Sequence, residues 1–267
     1  MQRTAIVVLA CGALASGCGV DLGGDSTQEI VDNLRQAGFP SSEIGVVDGK
    51  VLVGGDAVVT LEASREMLQV DPSSGGHEQY RTTNIVSLNR TLICVDGRAF
   101  TGVLSTALDL AIRNYDRETL TFAMRRHSGT TLQCQPGDIV AKVGTGSGGQ
   151  SGFPFNGAPY PEFTIGADVA TLYNVQTVAA LITHELGHTI GFRHSDWFDH
   201  TISCGPGSPV VEDSTGIVQI PGTPSGAVAG QSVMNACIIA NQETGRFTST
   251  DRTALLAMYK CTALLCP

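Results

Sequence analysis

Charge is scarce in this 267-residue chain, at 15% of residues, and what there is leans acidic, with 16 Lys and Arg against 25 Asp and Glu. With no basic cluster and a formal charge of −9, the electrostatic footprint of a nucleic-acid partner is missing and that class is excluded. No apolar run is long enough for a membrane-spanning helix: Thr4 to Ala15 falls short of the roughly 18 residues required. No G-x-S-x-G elbow occurs, so serine hydrolase chemistry has no nucleophile. No cysteines stand at C-x-x-C spacing, which removes a zinc ribbon, and none lies between Cys18 and Cys94. No D-x-D-x-D-G loop is visible, so calcium stays an open question. Gly144, Gly146 and Gly149 do spell G-x-G-x-x-G, but "QSGFPFNGAP" after them cannot open the helix that a dinucleotide site needs.

What is present points to a folded, exported protein. Hydrophobic residues make up 42% and 32 residues are glycine, a composition for a packed core joined by many turns. The start, "MQRTAIVVLACGALASGCGVD", has one basic residue, an apolar run and then small residues, as an export signal does. "ALASGC" resembles a bacterial lipobox, which makes residues 1–18 a signal peptide and Cys18 the lipidated first mature residue. The expectation is a cell-envelope lipoprotein held to a membrane only through that lipid, with plain secretion as the alternative. Six cysteines remain, enough for three disulfides in fifteen connectivities. Cys204 with Cys237 and Cys94 with Cys134 are the expected pairs, free buried thiols the alternative.

Residues 19–84 read as a small α+β unit with a linker. "DSTQEIVDNLRQAGFP" has a cap at Asp25 or Ser26, an apolar stripe of Ile30, Val31 and Leu34, and a stop at Gly38 and Pro40. Apolar runs flank Asp48-Gly49, a hairpin turn signal. Residues 85–267 suit one compact domain. "TGVLSTALDLAIRNYDRE" carries Val103, Leu104, Ala107, Leu108, Ala111, Ile112 and Tyr115 at helical spacing. "TLTFAMRR", "DIVAKVG" and "EFTIGADV" read as strands, and "STDRTALLAMYK" as a last helix. The class is α+β, a mixed sheet packed on helices.

The chemistry sits in "ALITHELGHTIGFRHSDWF", Ala180 to Phe198. His184 and His188 lie about 40° apart around a helix, one turn apart in height, so both imidazoles can address one point. A continuing helix would carry His194 about 9 Å further and about 120° off that face. It can share an ion with the other two only if the chain leaves the helix, and Gly191 sits where it must turn. Three neutral nitrogens would leave one zinc its charge and an open corner for water, whose pKa falls toward ~7. Glu185, beside a ligand but too far round the helix to bind, can take that water's proton and give it to a leaving amine. The expected substrate is a protein or peptide. His77, His127 and His200 lack ligand spacing, and Asp196 reads as an exposed loop acid.

"HELGHTIGFRH" matches the signature of the metzincin zinc peptidases, and "SVMNA" resembles their methionine turn, which makes Met234 a floor beneath the histidines. "HTIGFRHSD" and the upstream layout are most similar to the bacterial dual-action HIGH metallopeptidases, sharply at residues 184–196 and 232–236 and loosely from Glu29 to Tyr259. The resemblance implies a metzincin-like catalytic domain: a mixed twisted sheet, a long active-site helix and a small C-terminal subdomain, working as a monomeric zinc endopeptidase. Some metzincins carry a tyrosine two residues after the turn methionine; Ala236 stands there, so the oxyanion partner is unassigned. "VGGDA", Val53 to Ala57, resembles the propeptide motif of astacin-type metzincins, whose aspartate ligates the zinc. Asp56 is then a zymogen latch and residues 19–84 a prosegment; a plain Gly-Gly-Asp turn is the competing reading. Gly149 to Phe155 is either the exposed strand edge that such enzymes pair with substrate or a surface loop. The rival to an enzyme is a surface binding module with a structural metal; a non-peptide metallohydrolase is disfavoured only by the metzincin match.

Overall fold

The computed structural model describes residues 22–69, 79–127, 138–210, 218–224, 226–240 and 245–261. The expected signal peptide at residues 1–18, including Cys18, lies outside them, as do Cys134 and Cys266. Helix α1 (Leu22–Gln36) buries Ile30, Val31 and Leu34, the expected stripe, but begins ahead of Asp25 within the glycine-rich stretch. Strands β1 (Ile44–Val47) and β2 (Lys50–Val53) form the expected hairpin, with Asp48 and Gly49 both at positive φ, 49° and 75°. A second turn leads through Gly54–Asp56 into β3 (Ala57–Val59), then α2 (Leu61–Met67), capped by the Thr60 side chain. Seven residues are too few to show helical periodicity, so α2 leaves no trace in the sequence pattern.

The rest of the chain contributes β4 (Tyr80–Arg81), β5 (Leu92–Asp96), α3 (Gly102–Asp116), β6 (Ala123–His127), β7 (Ile139–Gly144), β8 (Gly149–Gly152), β9 (Glu162–Gly166), α4 (Val169–Leu172), α5 (Val175–Thr189), α6 (Thr201–Cys204), β10 (Val218–Gln219) and α7 (Ser249–Tyr259). Eight strands share one sheet in the order β1-β2-β3-β8-β9-β7-β5-β6, and β4 pairs with β10 apart from it. Strands β5, β6, β7 and β9 are parallel, while β8 is antiparallel to β9. This is the expected α+β mixed sheet. Helix α3 packs along α5 over the sheet, its Leu104, Ala107, Leu108, Ala111, Ile112 and Tyr115 buried, while Val103 faces outward. Among the described residues no helix is long and apolar enough to cross a membrane.

One feature departs from the sequence reading. Gly149 to Phe155 does not offer a free edge: β8 pairs with β9 on one side and with β3, in parallel, on the other. The N-terminal unit shares its core, in which Phe153 from the far side of residue 85 packs with Ile30, Leu34, Val51, Val59 and Met67. Some 50–60 residues bury too little of their own surface to stand easily alone. Cys204–Cys237 forms the expected disulfide. Cys94 and Cys261 are disulfide-bonded as well; the expected partner of Cys94, Cys134, lies outside the described residues.

Candidate metal centre

Helix α5 is built to be buried. Asn174 caps it, accepting from the Gln176 and Thr177 amides, and residues 177–180 and 182–189 are all buried. A helix apolar on every side belongs in a core, so a polar triad of His184, Glu185 and His188 inside it stands out. Its end follows the expectation for Gly191, which has φ 110°. The Phe192 amide donates to Gly187 O at 3.0 Å and the Gly191 amide to His188 O at 2.9 Å, the paired bonds of a left-handed helix stop. A side chain at 191 would meet Asn84 O at 2.8 Å. The reversal brings His194 back beside the other two.

Nδ1 of His184 donates to Val233 O at 2.8 Å and Nδ1 of His188 to Phe192 O at 2.7 Å. Those bonds set the tautomers and turn the Nε2 lone pairs inward. The three Nε2 atoms stand 3.0, 3.3 and 3.3 Å apart. Asp56 faces them: its Oδ2 lies 3.0 Å from His194 Nε2 and 3.4 Å from His184 Nε2, its Oδ1 3.5 Å from His188 Nε2. All four ligand atoms fall within 4.8 Å of one another. A tetrahedral zinc with bonds of about 2.0–2.1 Å requires ligand atoms about 3.3 Å apart. Three imidazoles and a carboxylate that offer ligand atoms around one point suit a cation there, and the residues fit zinc.

Electrostatics agree with that crowding. Burial pulls His194 down to about 4. Burial also opposes the charged form of His184, but the Asp56 and Glu185 carboxylates outweigh it and raise the ring to about 9. Burial works against the Asp56 carboxylate, yet the three facing imidazoles hold it well below the usual range. Glu185 is pushed up to about 8, by burial first and then by the charge of Asp56. Its Oε2 is buried with no hydrogen-bond partner among the described residues. A Cβ at Gly149 would lie 2.1 Å from Glu185 Oε1, so the bare backbone of β8 makes the space for that carboxylate. A cavity of about 360 Å³ opens beside it, lined by Asp56, Gly149, Leu181, His184, Glu185 and Ile238 among others.

Met234 is buried under α5, where a Cβ at Gly187 would meet its sulfur at 2.5 Å. Two carboxylates brace the turn that carries it. Asp251 accepts from Ser232 Oγ and the Val233 amide, and Asp196 accepts from the Ala236 amide at 2.8 Å. Asp196 is therefore no exposed acid: it is fully buried and ties the His194 loop to the methionine turn. His200, also buried, packs its ring 5.6 Å from that of His194. Sequence reading missed a buried ion pair altogether: Arg193 Nη2 lies 3.2 Å from Glu43 Oε2. Its partners are 150 residues apart, and nothing in local spacing couples them. The Gly-Gly-Asp turn and the aspartate facing the histidines are the same feature, since Gly54 and Gly55 take φ 67° and 95° to deliver Asp56. A side chain at Gly54 would clash with His194 Nδ1 at 2.8 Å.

The family profile described as dual-action HEIGH metallo-peptidase, the HIGH family of the sequence resemblance, matches residues 51–259. No curated protein matches the chain. Among solved structures the chain is similar to myroilysin, at 13% identity and a TM-score of 0.40, over 67% of this chain and 98% of that one. It is similar at the same TM-score of 0.40 to high choriolytic enzyme 1, a hatching enzyme zinc-protease from Oryzias latipes (Medaka fish), at 18% identity over 68% of this chain and 95% of that one.

Proposed function

From the premise that the chain belongs to the dual-action HEIGH metallo-peptidases, we propose that it is an exported zinc endopeptidase whose own N-terminal segment blocks it until removed. The observation that carries this reading is the convergence of three imidazole lone pairs on one point with the Glu185 carboxylate beside them. His184, His188 and His194 would hold the ion through Nε2. Zinc bound there supplies a Lewis acid that polarises the scissile carbonyl and makes water easier to deprotonate. Glu185, buried and without a competing partner on Oε2 among the described residues, accepts a proton from the attacking water and passes it to the leaving amine. Val233 O holds the His184 ring and Phe192 O that of His188, while Met234 fills the space beneath Gly187 of α5.

Asp56 is the latch. It takes the corner a water needs, and β3 behind it takes the side of β8 that an extended substrate would use. The family match begins at Val51, so this turn lies within the shared region. Export and acylation at Cys18 rest on the N-terminal sequence and are tested by membrane fractionation of a Cys18→Ala variant, which should leave the membrane pellet. One observation favours a second reading: with Asp56 the centre has four protein ligands, as structural zinc sites do.

Zinc content and casein cleavage of the full chain separate the two. Wild type, Asp56→Ala and Glu185→Ala should all bind zinc. Asp56→Ala should cleave faster than wild type, and Glu185→Ala should lose roughly 10²–10⁴-fold against the activated protein. A zinc-loaded Asp56→Ala chain as inert as wild type, still inert after cleavage at an engineered protease site within residues 70–78, ahead of β4, would place the centre among structural sites.

A further inference from the structure

We propose that Arg193 and His200 form a carboxylate-binding subsite that reads an acidic side chain of the substrate, and that Glu43 fills it in the intact chain as an internal stand-in. The substrate role rests on the peptidase reading above; the carboxylate site does not. Arg193 directly precedes the third histidine, and its side chain is 2% exposed, as is that of Glu43. Its Nη2 meets Glu43 Oε2 at 3.2 Å, and His200 Nε2 approaches the other oxygen, Oε1, at 3.4 Å. The guanidinium carbon lies over the Phe39 ring, 4.5 Å from its centroid, and over the Trp197 ring, 5.3 Å from its centroid. Aromatic contacts of this kind hold the guanidinium in place and leave its N–H donors free for a carboxylate.

Glu43 uses only part of that fork. Arg193 Nη1 and His200 Nε2 are both buried without a hydrogen-bond partner among the described residues. The cradle therefore has donor capacity beyond what its occupant satisfies, an arrangement suited to an exchangeable carboxylate more than to a permanent pair. The cover is one-sided. Phe39 and Glu43 come from the segment ahead of β1, whereas Arg193, Trp197 and His200 come from the chain after α5. The location also fits a substrate subsite: a Cβ on Gly54 would lie 2.8 Å from His194 Nδ1 and 3.9 Å from Glu43 Oε2. The carboxylate thus sits just behind the turn that carries Asp56 to the histidines. Withdrawing the N-terminal segment uncovers the ion's fourth corner and the Arg193 fork together. A guanidinium stripped of its buried partner is costly, and a carboxylate from an incoming chain restores it.

Chemical rescue in the full chain tests the site without relying on catalysis. Glu43→Gly removes the internal carboxylate with its Cβ and Cγ and leaves space of propionate size. Its thermal midpoint should fall, then climb saturably with propionate and not with propionamide, and Glu43→Gly combined with Arg193→Met should not respond. Should Glu43→Gly fail to fold, the same two ligands are compared during refolding, where a yield restored by propionate alone gives the same answer. The substrate role is read from zinc-loaded protein, processed at its linker, on peptide pairs that differ only in Glu or Gln at each position flanking the cleaved bond. Glu should be preferred at one position by roughly tenfold or more in kcat/KM, and the ratio should fall toward one in Arg193→Gln. No response to propionate overturns the site. A propionate response with equal Glu:Gln ratios in wild type and Arg193→Gln overturns the substrate role and leaves Glu43 as a fold pin. Protein that cleaves no peptide strikes the peptidase reading and the substrate role together, while the rescue result still decides the carboxylate site.

Discussion

At the scale of single residues, the centre depends as much on missing side chains as on present ones. Gly149 illustrates this. In sequence it belongs to a false nucleotide fingerprint and to a candidate rim, but in the fold its bare Cα faces Glu185, where a Cβ would lie 2.1 Å from Oε1 and 2.7 Å from Cδ. Neither contact is available to real atoms, so Gly149→Ala must displace the carboxylate. The histidines are held from other elements, through Val233 O and Phe192 O, and should keep their ion. The expected outcome is unchanged zinc content with kcat of the activated protein down by about 10²-fold, the usual cost of moving a proton-transfer group by an ångström. Full activity in Gly149→Ala would mean that Glu185 does not need its observed position. The convergence of His184, His188 and His194 was legible because helix geometry and one glycine dictate it. Arg193 and Glu43 were not, because an ion pair between distant segments exists only once the segments pack.

Elements follow the same division. Helices α3, α5 and α7 declare themselves through long apolar stripes, and α7 adds a capping box in which Thr248 and Asp251 satisfy each other's backbone amides. Strand β5 escaped notice although it is central to the sheet: "LICVD" is too short to show alternation, and both its neighbours are parallel strands from distant parts of the chain. Its end carries a pH-dependent contact. Arg98 donates from Nε, Nη2 and its backbone amide to the Asp96 carboxylate. These bonds, set against burial, hold the Asp96 pKa below its ordinary value of 3.8. A depressed folded pKa contributes stability that is full above the unfolded value and is lost as pH falls through the folded one. Asp96→Asn should therefore cost under about 1 kcal/mol near neutrality, given that Arg98 is largely exposed. The gap from wild type should close below pH 3.8. Denaturant unfolding of both proteins from pH 7 to pH 2.5 checks this, and a gap that persists at the acid end would assign the loss to packing.

For the whole molecule, the consequence of the four-donor centre is that one ion would add a further tie between parts of the chain that meet at a sheet edge and a few side-chain contacts. Asp56 belongs to the N-terminal unit, His184 and His188 to α5, and His194 to the loop beyond it. Between the unit and the rest, the described residues of the sheet contribute two registered pairs, Ala57 with Ser151 and Val58 with Gly152, alongside Phe153, Tyr160 against Leu52 and Val58, the Asn156 amide on Glu66 and the cluster of Phe39 and Glu43 with Arg193 and His200. A bound ion stabilises the conformation that holds it by RT ln(1 + [L]/Kd), about 4 kcal/mol at a thousandfold excess over Kd. Its removal leaves Asp56 held to the imidazoles by hydrogen bonds alone, at 3.0–3.5 Å, and the contact that can give way is the one at Asp56. Chelation should then loosen the molecule unevenly. Amide exchange should quicken at residues 57–59 and 151–153, while the α3–α5 core around Leu108, Ala111 and Ile182 keeps its protection, a local opening well short of global unfolding. Asp56→Ala should already exchange quickly at those strand positions and should gain nothing more from chelator. Hydrogen exchange read by mass spectrometry, with and without chelator and after zinc is restored, measures each case. Uniform loss of protection, or an unchanged β3, would mean that the ion does not bridge the N-terminal unit to the catalytic helix, and the blocked-enzyme reading would lose its physical basis.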